Sequence, residues 1–210
     1  MPKTTSLEAL AQTLAGQLGD ARRIVAIAGP PGAGKSTFAE ALRDRINLAQ
    51  PSLCEVLPMD GYHFDDTYLG SMGWQARKGA PHTFDVGGLK AMLGRLKANT
   101  EPEIAVPVFD RKLEIARAGA QMISQKAKII LVEGNYLLLA APPWASLRPF
   151  FDTGIMLDVP PKTLEARLTA RWAGLGYTPA AAKEKIAGND MLNVKQVMEN
   201  SAQADYVLQT

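Results

Sequence analysis

The sequence holds a single cysteine, Cys54, so no intramolecular disulfide can form and no cysteine-based zinc site can be assembled. Cys54 sits in the apolar run Leu53-Cys54-Glu55-Val56-Leu57, which reads as a place for a small buried hydrophobe rather than a catalytic thiol. No run of about 18 apolar residues occurs, which excludes a transmembrane helix. Met1 to Asp20 lacks the apolar core of a secretory signal, so a cytoplasmic location is expected. No block of about five like charges occurs either; 23 Lys and Arg stand against 21 Asp and Glu, leaving a net charge of +2. Without a clustered basic stripe, nucleic acid is not an expected partner. Internal repeats and low-complexity tracts are also missing. What is present is ordinary globular usage, 47% hydrophobic and 21% charged residues. At ~150 residues per domain, 210 residues favour one domain, long enough to bury roughly 70% of its unfolded surface without staples.

Leu7, Leu10, Leu14 and Leu18 recur at helical spacing behind Ser6, a plausible N-cap, and Gly19 stops the expected helix 6–18. Short apolar runs predict strands at 24–28, 53–57, 104–109, 128–132, 154–159 and 206–208. Helices are predicted at 36–46, 85–98, 144–150, 161–172, 179–187 and 190–199. Residues 61–84 show little periodicity and read as a functional or mobile loop. Strands alternating with helices, with continuous rather than alternating apolar runs, predict an α/β fold: a mostly parallel sheet with helices on both faces.

Between the first strand and its helix lies Gly29-Pro30-Pro31-Gly32-Ala33-Gly34-Lys35-Ser36-Thr37, which matches G-x-x-x-x-G-K-[ST]. Phosphates need many donors without bulky side chains. Glycines let successive backbone N–H groups curl inward, and the following helix presents its positive dipole end to the same anion. Lys35 reaches the β- and γ-phosphates, and the Ser36 hydroxyl is placed for Mg²⁺. A guanine-specific N/T-K-x-D motif and an LSGGQ-like signature are absent, which argues against a GTPase and an ABC-type ATPase. Asp85-Val86-Gly87-Gly88 spells D-x-x-G without closing an apolar strand and reads as coincidence.

A small-molecule kinase remains. Asp60 and Glu133 directly follow apolar runs, and residues past the carboxyl ends of parallel strands line the ligand crevice. Asp60 suits a base near an acceptor hydroxyl and the metal shell, and Glu133 the metal shell; the plainer reading of each is a solvated carboxylate at a strand end. Arg167 and Arg171, four apart, share one helix face beside the stripe Leu164, Leu168 and Trp172, and suit a lid closing over a phosphoryl group or a plain solvated helix face.

The chain resembles the P-loop kinase family that contains uridine kinase, bacterial pantothenate kinase and phosphoribulokinase. The resemblance rests on Gly29–Thr37, Met59-Asp60-Gly61-Tyr62-His63, Arg77-Lys78-Gly79-Ala80-Pro81 with Thr83-Phe84-Asp85, Pro107-Val108-Phe109-Asp110, and Val132-Glu133-Gly134-Asn135-Tyr136-Leu137-Leu138. Arg167 with Arg171 and Asn189-Asp190 complete it. It most resembles a bacterial subgroup described as fructose transport system kinases. The resemblance implies a three-layer P-loop fold over residues 1–210, with an acceptor-site loop at 60–84 and a lid at 161–188. It also implies ATP and Mg²⁺, with Lys35, Asp60, Arg167 and Arg171 catalytic and Ser36, Asp60 and Glu133 around the metal. Arg77, Lys78, Asp110, Arg111 and Asn135 fall where the family meets its acceptor, with Tyr62 and His63 on the same side; His63 fits a plain loop hydrogen bond equally well. After Asp110 the chain reads Arg111-Lys112-Leu113-Glu114-Ile115-Ala116, which departs from the uridine kinase pattern.

The resulting expectation is transfer of the ATP γ-phosphoryl group to a hydroxyl of a small metabolite, such as the sugar fructose. Alternatives are a kinase of a nucleoside or pantothenate-like alcohol, and a non-catalytic ATP-binding regulatory module beside a transporter. A nucleobase pocket would draw on aromatic rings, with Tyr62, Phe64 and Trp74 the candidates. A homodimer stays open, and membrane insertion is not expected.

Overall fold

The computed structural model describes residues 2–209. Strand β1 (Lys3–Thr4) leads into α1 (Leu7–Gly16), whose N-cap Ser6 accepts a hydrogen bond from the Ala9 amide. Strand β2 (Arg23–Ala28) feeds α2 (Lys35–Ala49), and β3 (Cys54–Pro58) follows. Residues 61–84 hold tight turns and one small helix, α3 (Asp66–Ser71). Then come α4 (Val86–Ala98), β4 (Glu103–Asp110), β5 (Ile115–Ser124), β6 (Ile129–Gly134) and β7 (Thr153–Asp158). Helices α5 (Pro161–Gly174), α6 (Pro179–Lys185) and α7 (Met191–Asn200) and strand β8 (Tyr206–Gln209) complete the chain.

Six strands form one parallel sheet in the order β1-β8-β7-β2-β6-β3. Successive strand residues point to opposite faces, and both faces are buried. Ile24, Ala26, Ile130 and Val132 pack with Leu89, Leu93 and Leu96 of α4 on one face. Val25, Ile27, Ile129 and Leu131 pack on the other with Leu10 and Leu14 of α1, Leu42 and Ile46 of α2, and Leu164 and Leu168 of α5. Burial on both faces is why these strands read as unbroken apolar runs. Cys54 is buried at the start of β3, and burial pushes its thiol pKa up, which keeps it a hydrophobe.

Several expectations need correction. The strand expected at 104–109 exists outside the sheet, as β4 paired antiparallel with β5. β5 is absent from the sequence expectations because its residues are mostly exposed and no buried run marks it. Gln121 Nε2 of this hairpin donates to the Val56 carbonyl at 3.0 Å, which ties the hairpin to the outer strand β3. The helix expected at 144–150 is a three-ten turn with Pro149 inside, where an amide donor is missing. The helices expected at 179–187 and 190–199 run into one another as α6 and α7 through a π-helical turn, Ile186–Asp190. Asp85 is the N-cap of α4, its carboxylate accepting from the Gly88 amide at 2.8 Å, which accounts for the D-x-x-G spelling. Among the described residues no helix is long and apolar enough to cross a membrane.

Candidate active site

β2 ends at Ala28, and the chain turns through residues 29–34 before α2 starts at Lys35. Gly32 and Gly34 have φ of +82° and +85°, a region in which a side chain is strained. The Ala33 amide donates to the Pro30 carbonyl at 3.1 Å and closes the turn. The first amides of α2 and its positive dipole end therefore face the hollow of the loop. Lys35, 9% exposed, folds back and donates to the Pro30 carbonyl at 3.0 Å. Burial pushes its pKa down, opposed by Glu133 and Asp60.

The sheet places the acids. Glu133, at the end of β6, stands beside Ile27 of β2 on one side and Pro58 of β3 on the other. β2 runs on into the loop and β3 into the turn that carries Asp60, so Glu133 lies between them. It accepts a hydrogen bond from Ser36 Oγ at 3.0 Å. Burial pushes the Glu133 pKa up, with Asp60 adding to the rise and Lys35 opposing it. The Asp60 turn crosses close under β4: a Cβ on Gly61 would stand 2.3 Å from the Pro107 carbonyl oxygen, so only glycine fits. Asp60 Oδ2 accepts from the Arg111 guanidinium at 3.0 Å. The Ser36 hydroxyl and the two carboxylates form an all-oxygen set of the kind a hard divalent cation such as Mg²⁺ takes. Among the described residues no cluster of three or more His, Cys, Asp or Glu is placed to hold a metal alone, so phosphate oxygens would have to complete such a shell.

A cleft of about 330 Å³ joins these groups. Of the residues expected at the site, Pro31, Gly32, Gly34, Lys35, Ser36, Thr37, Asp60, His63, Lys78, Arg111, Glu133, Asn135 and Arg171 line it. Gly29 and Ala33 instead pack the loop: a Cβ on Gly29 would stand 3.2 Å from Leu157, and Ala33 is in the core. Pro30 serves through its carbonyl, which receives Lys35. Arg167 lies at the rim, its guanidinium 3.4 Å from the Gly32 carbonyl.

Tyr62, Arg77 and Asp110 are not part of the cleft wall. Tyr62 turns into the apolar core with Leu57 and Phe84, because the three-ten turn that presents Asp60 rotates its neighbour inward. Arg77 lines the adjoining hollow and donates to the Gly188 carbonyl and to Oδ1 of the cleft residue Asn193 at 3.1 and 3.2 Å. Asp110 caps the β4–β5 turn, its carboxylate accepting from the Lys112 and Leu113 amides at 3.0 and 3.1 Å. His63 Nδ1 lies 2.8 Å from the Asp60 carbonyl, the loop hydrogen bond expected for it, and the ring lines the cleft. Its ring packs on Phe84 and Phe109 at centroid distances of 4.0 and 4.6 Å. Burial pushes its pKa down, so the ring is neutral near pH 7. Phe64 and Trp74, candidates only for the alternative of a nucleobase pocket, stack around Tyr68 and are not part of the cleft wall.

The cleft also takes in Phe109, Glu114, Trp172, Lys185 and Asn193, to which the sequence assigned no site role. Trp172 followed the apolar spacing of α5 and read as core. Asn193 lies one helical turn beyond Asn189 and donates to its Oδ1 at 3.3 Å, and that spacing is the signal that could have found it. The pair Asn189-Asp190, part of the resemblance, is buried at the π-helical turn. Asn189 Nδ2 donates to the Lys78 carbonyl at 2.9 Å, and Asp190 Oδ2 accepts from Trp172 Nε1 at 2.6 Å. One residue thus grips the loop 60–84 and the next grips α5.

A Schizosaccharomyces pombe protein named "Putative uridine kinase C227.14" is 32% identical over 195 residues, covering 90% of this chain and 83% of that protein. The Escherichia coli "Uncharacterized protein YggC" is 33% identical over 190 residues, covering 90% of this chain and 78% of its own length. The crystal structure of a "putative fructose transport system kinase from Silicibacter sp. TM1040" matches with a TM-score of 0.90 at 38% identity, covering 98% of this chain and 99% of that one. No family model matches the chain.

Proposed function

The chain belongs to the uridine kinase-like P-loop kinases, and from that membership we propose that it transfers the γ-phosphoryl group of ATP to a hydroxyl of a small polar metabolite, with a sugar such as fructose as the leading class. The non-catalytic module weighed from the sequence gives way to a kinase. The observation that carries the rest is convergence: Lys35, Ser36, Glu133 and Asp60 face one cleft from three adjacent strand ends.

In this reading the loop amides and Lys35 hold the β- and γ-phosphates. Ser36, with Asp60 and Glu133 close by, would hold Mg²⁺, which would supply charge withdrawal from the phosphate oxygens. Asp60 orients the acceptor hydroxyl and takes its proton as the oxygen attacks phosphorus. The bond to the β-phosphate oxygen breaks, and ADP keeps the electron pair. Arg111, which pairs with Asp60 at 3.0 Å, releases the carboxylate when an acceptor enters. Arg171 neutralises charge on the passing group, and the lid keeps water out. The residues 60–84 and 161–188 serve as acceptor loop and lid of one kinase domain working in the cytoplasm, without nucleic acid or membrane insertion.

The compact stack of His63, Phe84 and Phe109 supports a small acceptor, because these rings pack on one another rather than around a slot for a base. The test is a coupled assay of sugars, nucleosides and pantothenate with ATP and Mg²⁺, run on the wild type, Lys35→Ala and Asp60→Asn. Lys35→Ala is expected to lose nucleotide affinity and turnover. Asp60→Asn is expected to keep ATP affinity and lose ~10²-fold or more in kcat. An Asp60→Asn enzyme within a few fold of wild type removes the base assignment, and turnover of nucleosides alone removes the sugar.

A further inference from the structure

Helix α6 ends at Lys185, which lines the cleft together with Lys35 and Arg171. Its ammonium lies 4.7 Å from the centroid of the Trp172 ring and 5.9 Å from that of Tyr177. Among the described residues no carboxylate forms an ion pair with it. The Arg171 guanidinium carbon stands 5.5 Å from the same indole, so one ring carries two cations, brought from α5 and from α6. The indole is itself fixed, because its Nε1 donates to Asp190 at 2.6 Å across the π-helical turn. π-Helical turns of this kind occur often at functional sites.

We infer that Lys185 is a third phosphate-facing cation of the lid and touches the γ-phosphoryl group as it is transferred, with Trp172 as its platform. The inference rests on the phosphotransferase reading above. A cation over an aromatic face is held by about 0.5–2 kcal/mol, less than a charge-assisted hydrogen bond to phosphate provides. The platform therefore aims the ammonium without neutralising it, and an incoming phosphate oxygen can take it over. Position supports the γ group in particular. Four residues past Lys185, Asn189 grips the Lys78 carbonyl, so the turn that follows Lys185 is tied to the loop read above as the acceptor side, and Lys78 and Lys185 line the same cleft. Arg171 lies on the helix that packs on the phosphate loop at Gly32. During transfer phosphorus exchanges its bond to the ADP oxygen for one to the acceptor oxygen and the proton goes to Asp60. The Lys185 ammonium offsets the charge spread over the three equatorial oxygens.

Calorimetric titration of the full chain with Mg²⁺ and either ADP or a non-hydrolysable ATP analogue tests this without knowledge of the acceptor. Lys185→Ala is expected to weaken the analogue about tenfold or more and ADP less than about twofold, and Lys185→Arg to restore most of the analogue affinity. Equal losses for both nucleotides, or none for either, overturn the assignment. Lys185→Met keeps an apolar stem on the indole and gives the same answer if the alanine variant folds poorly. Lys35→Ala separates the two levels. If it loses affinity while Lys185→Ala does not, the Lys185 role falls alone; if wild type binds neither nucleotide, the site reading falls with it.

Discussion

Asp190 carries a carboxyl to a position only 8% exposed, where Trp172 Nε1 donates to it and Arg171 and Lys185 lie near. Burial still wins and holds its pKa above the ordinary carboxylate range. A group that binds its proton more readily folded than unfolded adds stability at acid pH, and that stability is lost as pH rises through the raised value. Asp190→Asn keeps an oxygen for the indole and removes the charge. Its thermal midpoint at pH 7 is expected to exceed that of wild type by on the order of 2 °C, and its stability to vary less between pH 4 and 7. An unchanged or lower midpoint in a pH series of melting curves rules out a net cost of that charge. At this scale the sequence made legible the residues whose chemistry is local. Gly34, Lys35 and Ser36 announce themselves by spacing, and Asp60 and Glu133 by strand-end position. Lys185 and Trp172 do not, because an aromatic platform built from two helices leaves no mark in either.

At the scale of elements, Arg22 holds three segments together. It is 1% exposed, and its guanidinium donates to the carbonyls of Ala127, Leu96 and Ser124 at 2.7, 3.2 and 2.7 Å. It thus joins the start of β2 to the end of α4 and the end of β5. Arg22→Met keeps an apolar stem and strands those carbonyls. A loss of about 3 kcal/mol is expected in urea unfolding, with nucleotide affinity preserved because the cleft is at the opposite end of the strands. A loss below ~1 kcal/mol would show that water replaces the guanidinium. Nothing local in the sequence marks Arg22, because its carbonyl partners lie about 75 to 105 residues away. The β4–β5 hairpin was half legible for a related reason. β4 buries Ile104 and Val106 and shows a run, whereas β5 is mostly exposed and is held by its partner's backbone. The π-helical turn was read as a break because Gly188-Asn189 signals a helix stop, and tertiary contacts through Asn189 and Asp190 override that local preference.

For the whole molecule, sheet order does what no single motif can. The sequence supplied five of the six sheet strands and their parallel sense, since burial on both faces leaves continuous runs; the exposed two-residue β1 carries no such run. Their order, which sets Glu133 between the loop and Asp60, came only with the structure. Nucleotide bound in the proposed cleft would bind the folded form alone and so raise its stability. At a hundredfold excess over Kd the gain is about 2.7 kcal/mol, on the order of 5–10 °C in midpoint, with most of it expected to vanish when EDTA removes Mg²⁺. A midpoint indifferent to both additions would contradict nucleotide binding in this cleft. Lys35 and Ser36 already have partners in the Pro30 carbonyl and the Glu133 carboxylate. Loading is therefore a swap of one set of bonds for another, with no coil-to-helix ordering of the cradle. Titrations at several temperatures should give only a slight heat-capacity change, and a large negative one would mean that the cradle assembles around its cargo.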